Sequence, residues 1–251
     1  NHDQVGNRMM GDRLSGLVPF SDLKLAAGLL LLSPNVPLLF MGEEYGETAP
    51  FPYFVSHTDP DLVEAVREGR KEEFDAFQWT GSPPDPFDEV TFASARLNPG
   101  LAEGGRHESL QALYRRLLEL RRTLPPLEIP DEIRPEVRAW PGELLTLHRR
   151  RGEEGALAIF SFRREEARFH LDLPPGDWRL LLDSEGGEWL ESGSCGEVRH
   201  IDDRGAFSVR IRPRSFILLH RSRETHEPWK SISVSTDIST SRPVKTPGSR
   251  P

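Results

Sequence analysis

The sequence predicts an α/β region followed by an antiparallel β domain, and two changes of pattern carry that expectation. Near the start, a helical run with apolar residues almost all round it leads into Val36-Pro37-Leu38-Leu39-Phe40-Met41. Such a short continuous apolar run marks a strand covered on both faces of a parallel sheet. After Pro125-Pro126 the spacing of apolar residues switches from three and four to two, the mark of half-buried strands. The 251 residues, 36% of them hydrophobic, suffice for one or two domains with a real core.

In chain order, Asn1 to Arg8 has neither period. Its polar side chains surround one Val and one Gly, which reads as a functional loop, although a polar arm with Asp3 or Asn7 capping a turn has the same composition. Asn1 is not a start methionine, so the chain is read as the C-terminal part of a longer protein. Ser21-Asp22 can cap a helix from Leu23 to about Ser33, stopped by Pro34, whose ring cannot continue the ladder. Beyond the expected strand Val36 to Met41 come Gly42-Glu43-Glu44-Tyr45-Gly46. Barrel enzymes place chemistry there, at the C-terminal ends of strands, and solvated loop charges are the alternative reading of Glu43 and Glu44.

Residues 47 to 106 read as a long excursion with a charged helix from about Pro60 to Phe77. Phe51, Tyr53, Phe54, Phe74, Phe77, Trp79, Phe87 and Phe92 are free either to stack on the apolar face of a ligand or to plug the loop to the body. A clear helix runs from His107 to about Leu124. Leu110, Leu113, Tyr114, Leu117, Leu120 and Leu124 lie on its core face, and Arg115, Arg116, Glu119, Arg121 and Arg122 lie opposite. Strands are expected at Leu144 to His148, Leu157 to Phe162, Arg168 to Leu173, Trp178 to Leu182, Ala206 to Ile211 and Ser215 to His220, forming an antiparallel sandwich. Their His148, His170, His200 and His220 lack metal-ligand spacing and read as strand surface. The tail is too polar and aperiodic to bury a core, so disorder is expected there. The division is therefore 1–134, 135–221 and a tail of 222–251.

A net charge of −8 argues against a nucleic-acid partner, which needs a clustered basic face. The longest apolar run, Leu25 to Leu32, is far shorter than the roughly 20 residues of a membrane span. A single cysteine, Cys195, excludes an internal disulfide and a cysteine metal cluster and points to a reducing compartment, here the cytoplasm. No metal or organic cofactor follows from the residues.

Asn1-His2-Asp3-Gln4-Val5-Gly6-Asn7-Arg8, with Gly11-Asp12-Arg13-Leu14-Ser15 in register behind it, resembles the fourth conserved region of the alpha-amylase superfamily of glycoside hydrolases. The longer match is most similar to the trehalose-releasing branch of that superfamily, and Arg67, Gly69-Arg70, Glu72-Glu73-Phe74, Pro84-Asp85-Pro86 and Thr91-Phe92 fit it too. The resemblance implies an α/β fold: the C-terminal remainder of a (β/α)8 TIM barrel, with Val36 to Met41 as its eighth strand and the helix from His107 as its last, followed by the antiparallel β-sandwich domain. It implies hydrolysis of the α-1,4 bond next to the terminal trehalose of a maltooligosyl trehalose. Asp3 is then the transition-state stabiliser and His2 a hydrogen-bond donor to the same sugar. Asn1, Gln4, Arg8 and Glu43 become substrate-binding residues, and Glu44 a structural acceptor. The nucleophile and general acid, two carboxyl groups about 5 to 5.5 Å apart in retaining enzymes, would lie in a missing N-terminal part of the same enzyme, and the chain alone is expected to be inactive. A branching or other amylase-type enzyme, and a non-catalytic glycan-binding or structural remnant, are the alternatives.

Overall fold

The computed structural model describes residues 1–76, 81–128, 135–173, 176, 178–189 and 206–222. The expectations for Phe77, Trp79, Cys195, His200 and the tail from 223 onward lie outside these residues.

The opening stretch is helical rather than a loop: α1 spans His2–Gly6. Its cause is a reciprocal cap, with the Asn1 side chain accepting from the Asp3 N–H at 2.8 Å and Gln4 Oε1 accepting from the Asn1 nitrogen at 2.7 Å. One turn is too short to show a period. After α2 (Leu14–Leu17), helix α3 spans Phe20–Leu32, starting behind Pro19, earlier than the Ser21-Asp22 cap suggests. Two buried guanidinium groups close its far end. Arg121 Nη1 donates to the carbonyls of Leu31 and Ser33, each at 2.6 Å, and its Nη2 donates to that of Asn35. Arg149 Nη1 reaches Leu32 and Ser33 at 3.2 and 3.1 Å. Cations suit the negative end of the helix dipole. Burial, reinforced by the neighbouring Arg121, lowers the Arg149 pKa to about 10. Arg121, expected on the polar face of its helix, is thus buried.

Val36 to Met41 forms no strand. Among the described residues the segment pairs with no strand, and Val36 and Leu38 are 75% and 65% exposed. An apolar run sets the tendency; a ladder also needs a neighbour about 4.7–4.9 Å away. The excursion carries α4 (Pro60–Ala76), close to expectation, and a short α5 (Glu89–Ser94) capped by Asp88. Helix α6 spans Gly105–Thr123, and the predicted stripe Leu110, Leu113, Tyr114, Leu117 and Leu120 is buried.

The strands are β1 (Glu136–Trp140), β2 (Leu144–Arg151), β3 (Glu154–Ser161), β4 (Ala167–Asp172), β5 (Trp178–Asp183), β6 (Ala206–Ile211) and β7 (Ser215–Arg221). Five form an antiparallel sheet in the order β1-β2-β3-β7-β5, while β4 and β6 pair separately. The alternation of β3 and β7 sorts residues into two cores. Ala156, Ala158, Phe160, Phe216 and Leu218 face α3 and α6, whereas Leu157, Ile159, Ile217 and Leu219 face Val209 and Ile211 of β6. Both faces being covered explains their unbroken apolar runs. His148, expected at the surface, is only 4% exposed on β2. The helix-to-strand change falls near residue 134, yet the packing runs across it. Gly28 of α3 gives its space to the Phe216 ring, which would lie 2.5 Å from an added Cβ, and Lys24, 1% exposed, donates to the Ser184 carbonyl at 2.7 Å and pairs with Glu185 at 2.6 Å.

Candidate functional site

A cavity of about 390 Å³ lies between α1, α3, α6 and the segment 36–47. Asn1, Gln4 and Arg8 enter its wall from α1 and the turn behind it, and Glu43 enters from the one-turn 3-10 helix Glu43–Tyr45. Four of the six expected site residues are therefore brought together across 35 or more residues of chain. His2 and Asp3 are not. Their side chains are 71% and 57% exposed, lie 3.0 Å from each other, and do not line the cavity. Asn1 and Gln4, three residues apart, share one side of the helical turn, and His2 and Asp3 fall on another.

The turn that presents Glu43 is built by two left-handed glycines, Gly42 at φ 84° and Gly46 at φ 71°. A Cβ at Gly42 would come 2.7 Å from the Glu47 side chain, so the chain here requires glycine. Glu43 Oε2 accepts from the Phe40 N–H at 3.0 Å, which fixes the carboxylate against the end of the segment 36–40.

The buried acceptor of the loop is Glu47 rather than Glu44. Glu47 is 1% exposed and accepts from the Tyr45 hydroxyl at 3.0 Å, the N–H groups of Thr48 and Ala49 at 2.8 Å each, and that of Asn98 at 2.6 Å. Burial alone would raise its pKa. Hydrogen bonds from Ala49, Asn98, Tyr45 and Thr48 outweigh that and hold it below the usual carboxylate range. Burial and the bond to Glu47 push the Tyr45 phenol up to about 12. Arg13, 6% exposed, ties the same loop down, its Nε donating to the Ala49 carbonyl at 2.6 Å and its Nη1 to that of Met41 at 2.8 Å. Burial lowers the Arg13 pKa, with Glu47 opposing. Arg13 and Glu47 both line the cavity and were not singled out from the sequence. Nothing local distinguishes Glu47 from the two acids before it; only Asn98, 51 residues away, marks it as the hub.

The excursion's aromatic rings mostly pack on one another. Phe40, Phe51, Phe54 and Phe92 form a chain of edge contacts with centroids 5.1, 5.5 and 5.2 Å apart, ending at Phe92, which is 59% exposed. Arg70 lies between Tyr53 and Phe74, at 4.7 and 4.6 Å from their centroids, and its Nη2 reaches the Gly6 carbonyl at 3.4 Å. These contacts hold α4 against α1, the element that presents Gln4. The cavity floor is aliphatic, made by Leu23 and Leu30 of α3, Leu38, and Leu110 of α6. Its rim can accept and donate hydrogen bonds to hydroxyl groups; its floor can take only apolar atoms.

No family model matches the chain. Its sequence is similar to malto-oligosyltrehalose trehalohydrolases. With that of Rhizobium sp. (strain M-11) it is 49% identical over 128 residues, covering 51% of this chain and 22% of that protein. With that of Arthrobacter ramosus it is 38% identical over 218 residues, covering 84% and 34%. Among solved structures, a candidate alpha amylase from Salmonella typhimurium has the same fold with a TM-score of 0.68 at 32% identity, over 88% of this chain and 34% of that one. The chain spans about a third or less of the length of these proteins.

Proposed function

We propose, on the premise that this chain is a relative of the malto-oligosyltrehalose trehalohydrolases with an amylase-type fold, that it carries part of the substrate site of a glycoside hydrolase. The reaction is cleavage of the α-1,4 bond beside the terminal trehalose of a maltooligosyl trehalose. Residues 1–134 are the last modules of the barrel and 135–221 the β domain. The nucleophile and general acid belong to the part of such an enzyme that this chain does not match. The reading extends to a cytoplasmic location, in keeping with the lone Cys195.

The observation that supports this most is the convergence of Asn1, Gln4, Arg8 and Glu43 on one cavity. These groups can bond glucan hydroxyls, while His2 and Asp3, paired at the exposed edge of the same helix, contact the sugar at the cleavage point. The aliphatic floor, beside the unpaired segment 36–40, is the seat of further barrel strands. Such strands would cover Val36 and Leu38.

The test uses an enzyme in which this chain is joined to the remaining part of a trehalohydrolase, assayed for trehalose released from maltotriosyl trehalose. Asp3→Asn keeps the shape and removes the anion. Its contacts form mainly as the sugar flattens, so turnover should fall roughly 100- to 1000-fold with a far smaller change in KM. Near wild-type turnover in a folded Asp3→Asn enzyme overturns the assignment, and trehalose release by this chain alone overturns the placement of the nucleophile and acid outside it.

A further inference from the structure

The cavity wall comes from two stretches that lie far apart in the chain. Asn1, Gln4, Arg8 and Asp12 belong to α1 and the turn behind it, Glu43 and Glu47 to the loop after the segment 36–40. Neither half holds itself. A single helical turn is too short to be stable alone, and α1 and the 3-10 helix Glu43–Tyr45 are each one turn.

What joins them is an antiparallel run of contacts between residues 11–15 and 47–51. The Phe51 N–H donates to the Gly11 carbonyl at 2.8 Å, Arg13 Nε to the Ala49 carbonyl at 2.6 Å, and the Ser15 hydroxyl to the Glu47 carbonyl. Alternate residues of one stretch thus meet alternate residues of the other. The approach is closest at Gly11, where a Cβ would lie 2.2 Å from the Pro52 nitrogen.

Arg13, in the middle of this run, also reaches across the loop. Its Nη1 donates to the Met41 carbonyl at 2.8 Å, and its guanidinium lies 4.9 Å from the centroid of the Phe40 ring. Met41 and Ala49 flank the stretch that carries Glu43 and Glu47, and the Phe40 N–H is the group that holds the Glu43 carboxylate. One planar group therefore ties the two ends of the loop together. Its Nη2 is buried without a hydrogen-bond partner, so the two carbonyls take all of its hydrogen bonds among the described residues. A lysine would keep the charge but lacks the fixed fork that spans two acceptors.

We propose that Arg13 is the positioning residue of this cavity: standing on the stretch behind α1, it closes the loop from Met41 to Ala49 and sets Glu43 in register with Asn1, Gln4 and Arg8. The inference rests on the proposed function only in taking Glu43 as a substrate contact. Hydrogen exchange on the full chain tests the clamp without any assay of activity. In Arg13→Lys the amides of residues 42–48 should exchange about fivefold faster or more, with those of α6 unchanged. Kinetics on the joined enzyme test the consequence. Arg13→Lys should raise KM for maltotriosyl trehalose about tenfold, and adding it to Glu43→Gln should raise KM no further, since both act through one contact. A purely structural role would lower the folded fraction and leave KM alone. Arg13→Gln, which keeps a planar donor of shorter reach, should show the same pattern and stands in if Arg13→Lys does not fold. Faster loop exchange with KM unmoved in Arg13→Lys and Glu43→Gln alike upholds the clamp and counts against Glu43 as a substrate contact. The inference is overturned by loop exchange at the wild-type rate, by acceleration that spreads equally to α6, by KM effects that multiply in the double variant, or by KM that rises in Glu43→Gln alone.

Discussion

The two faces of helix α3 live in different environments: Leu23 and Leu30 line the cavity, while Ala27, Leu31 and Leu32 enter the core against the sheet. Along its length toward the sheet, Ala27, Leu31 and Leu32 are at most 1% exposed and share one core with α6, β3 and β7. At the cavity, α1 is a single polar turn held by its own cap, by Arg70 and by backbone contacts of the loops around it. A core that dense tolerates few changes, whereas the site has exposed side chains and little of that packing behind it. The chain thus keeps Asn1, His2, Asp3 and Gln4 on a turn with a single buried residue, Gly6.

The largest test of this division is Phe216→Ala, which empties the space between Gly28 and Phe160, whose ring lies 5.5 Å from that of Phe216. It should cost about 3–5 kcal/mol in urea denaturation. A loss below 1 kcal/mol would show that the helix-to-sheet core is not the stabilising centre.

Next in size is an acid effect confined to the sheet. Burial, with Arg150 and Arg221 adding repulsion, lowers the His148 pKa from 6.5 to about 3. The unfolded imidazole takes a proton near 6.5 and the folded one only near 3, so below 6.5 the unfolded chain binds more protons. The contribution of His148 is therefore whole above pH 6.5 and is lost as pH falls toward 3, at roughly 1.4 kcal/mol per unit. Comparing denaturation at neutral pH and two units below 6.5, the wild type should lose about 2.5 kcal/mol more than His148→Leu. Equal losses would mean that the imidazole is solvated in the folded chain.

The smallest expected effect sharpens the other side. Asp3→Asn should shift the same denaturation midpoint by less than about 0.5 kcal/mol, as for an exposed position with no packing. A larger shift would make α1 part of the core and remove the contrast on which its functional reading leans.

Elements with a long, self-contained pattern were legible. Helix α6 was visible from its leucine spacing and β7 from its apolar run, within a few residues of their observed ends. Where the deciding partner lay far away, the sequence misled. Arg121 looked like solvated surface, yet it bonds carbonyls about 90 residues earlier. His148 sits in an alternating strand, and its burial follows from Gly155 and Trp178 packed beside it. Strand β1 went unseen; the alternation Glu136-Val137-Arg138-Ala139 runs against its burial, with Val137 55% exposed, and the strand is held by its pairing with β2.

For the site, the sequence by itself determined that Asn1, Gln4, Arg8 and Glu43 are polar groups set beside apolar runs, since residue type and spacing are local properties. Tertiary structure alone decided that they share a cavity while His2 and Asp3 face away, and that Glu47 rather than Glu44 became the buried acceptor. A carboxylate can be buried only where enough donors converge to offset its lost hydration. The donor from Asn98 reaches Glu47 only once the excursion has folded back over it.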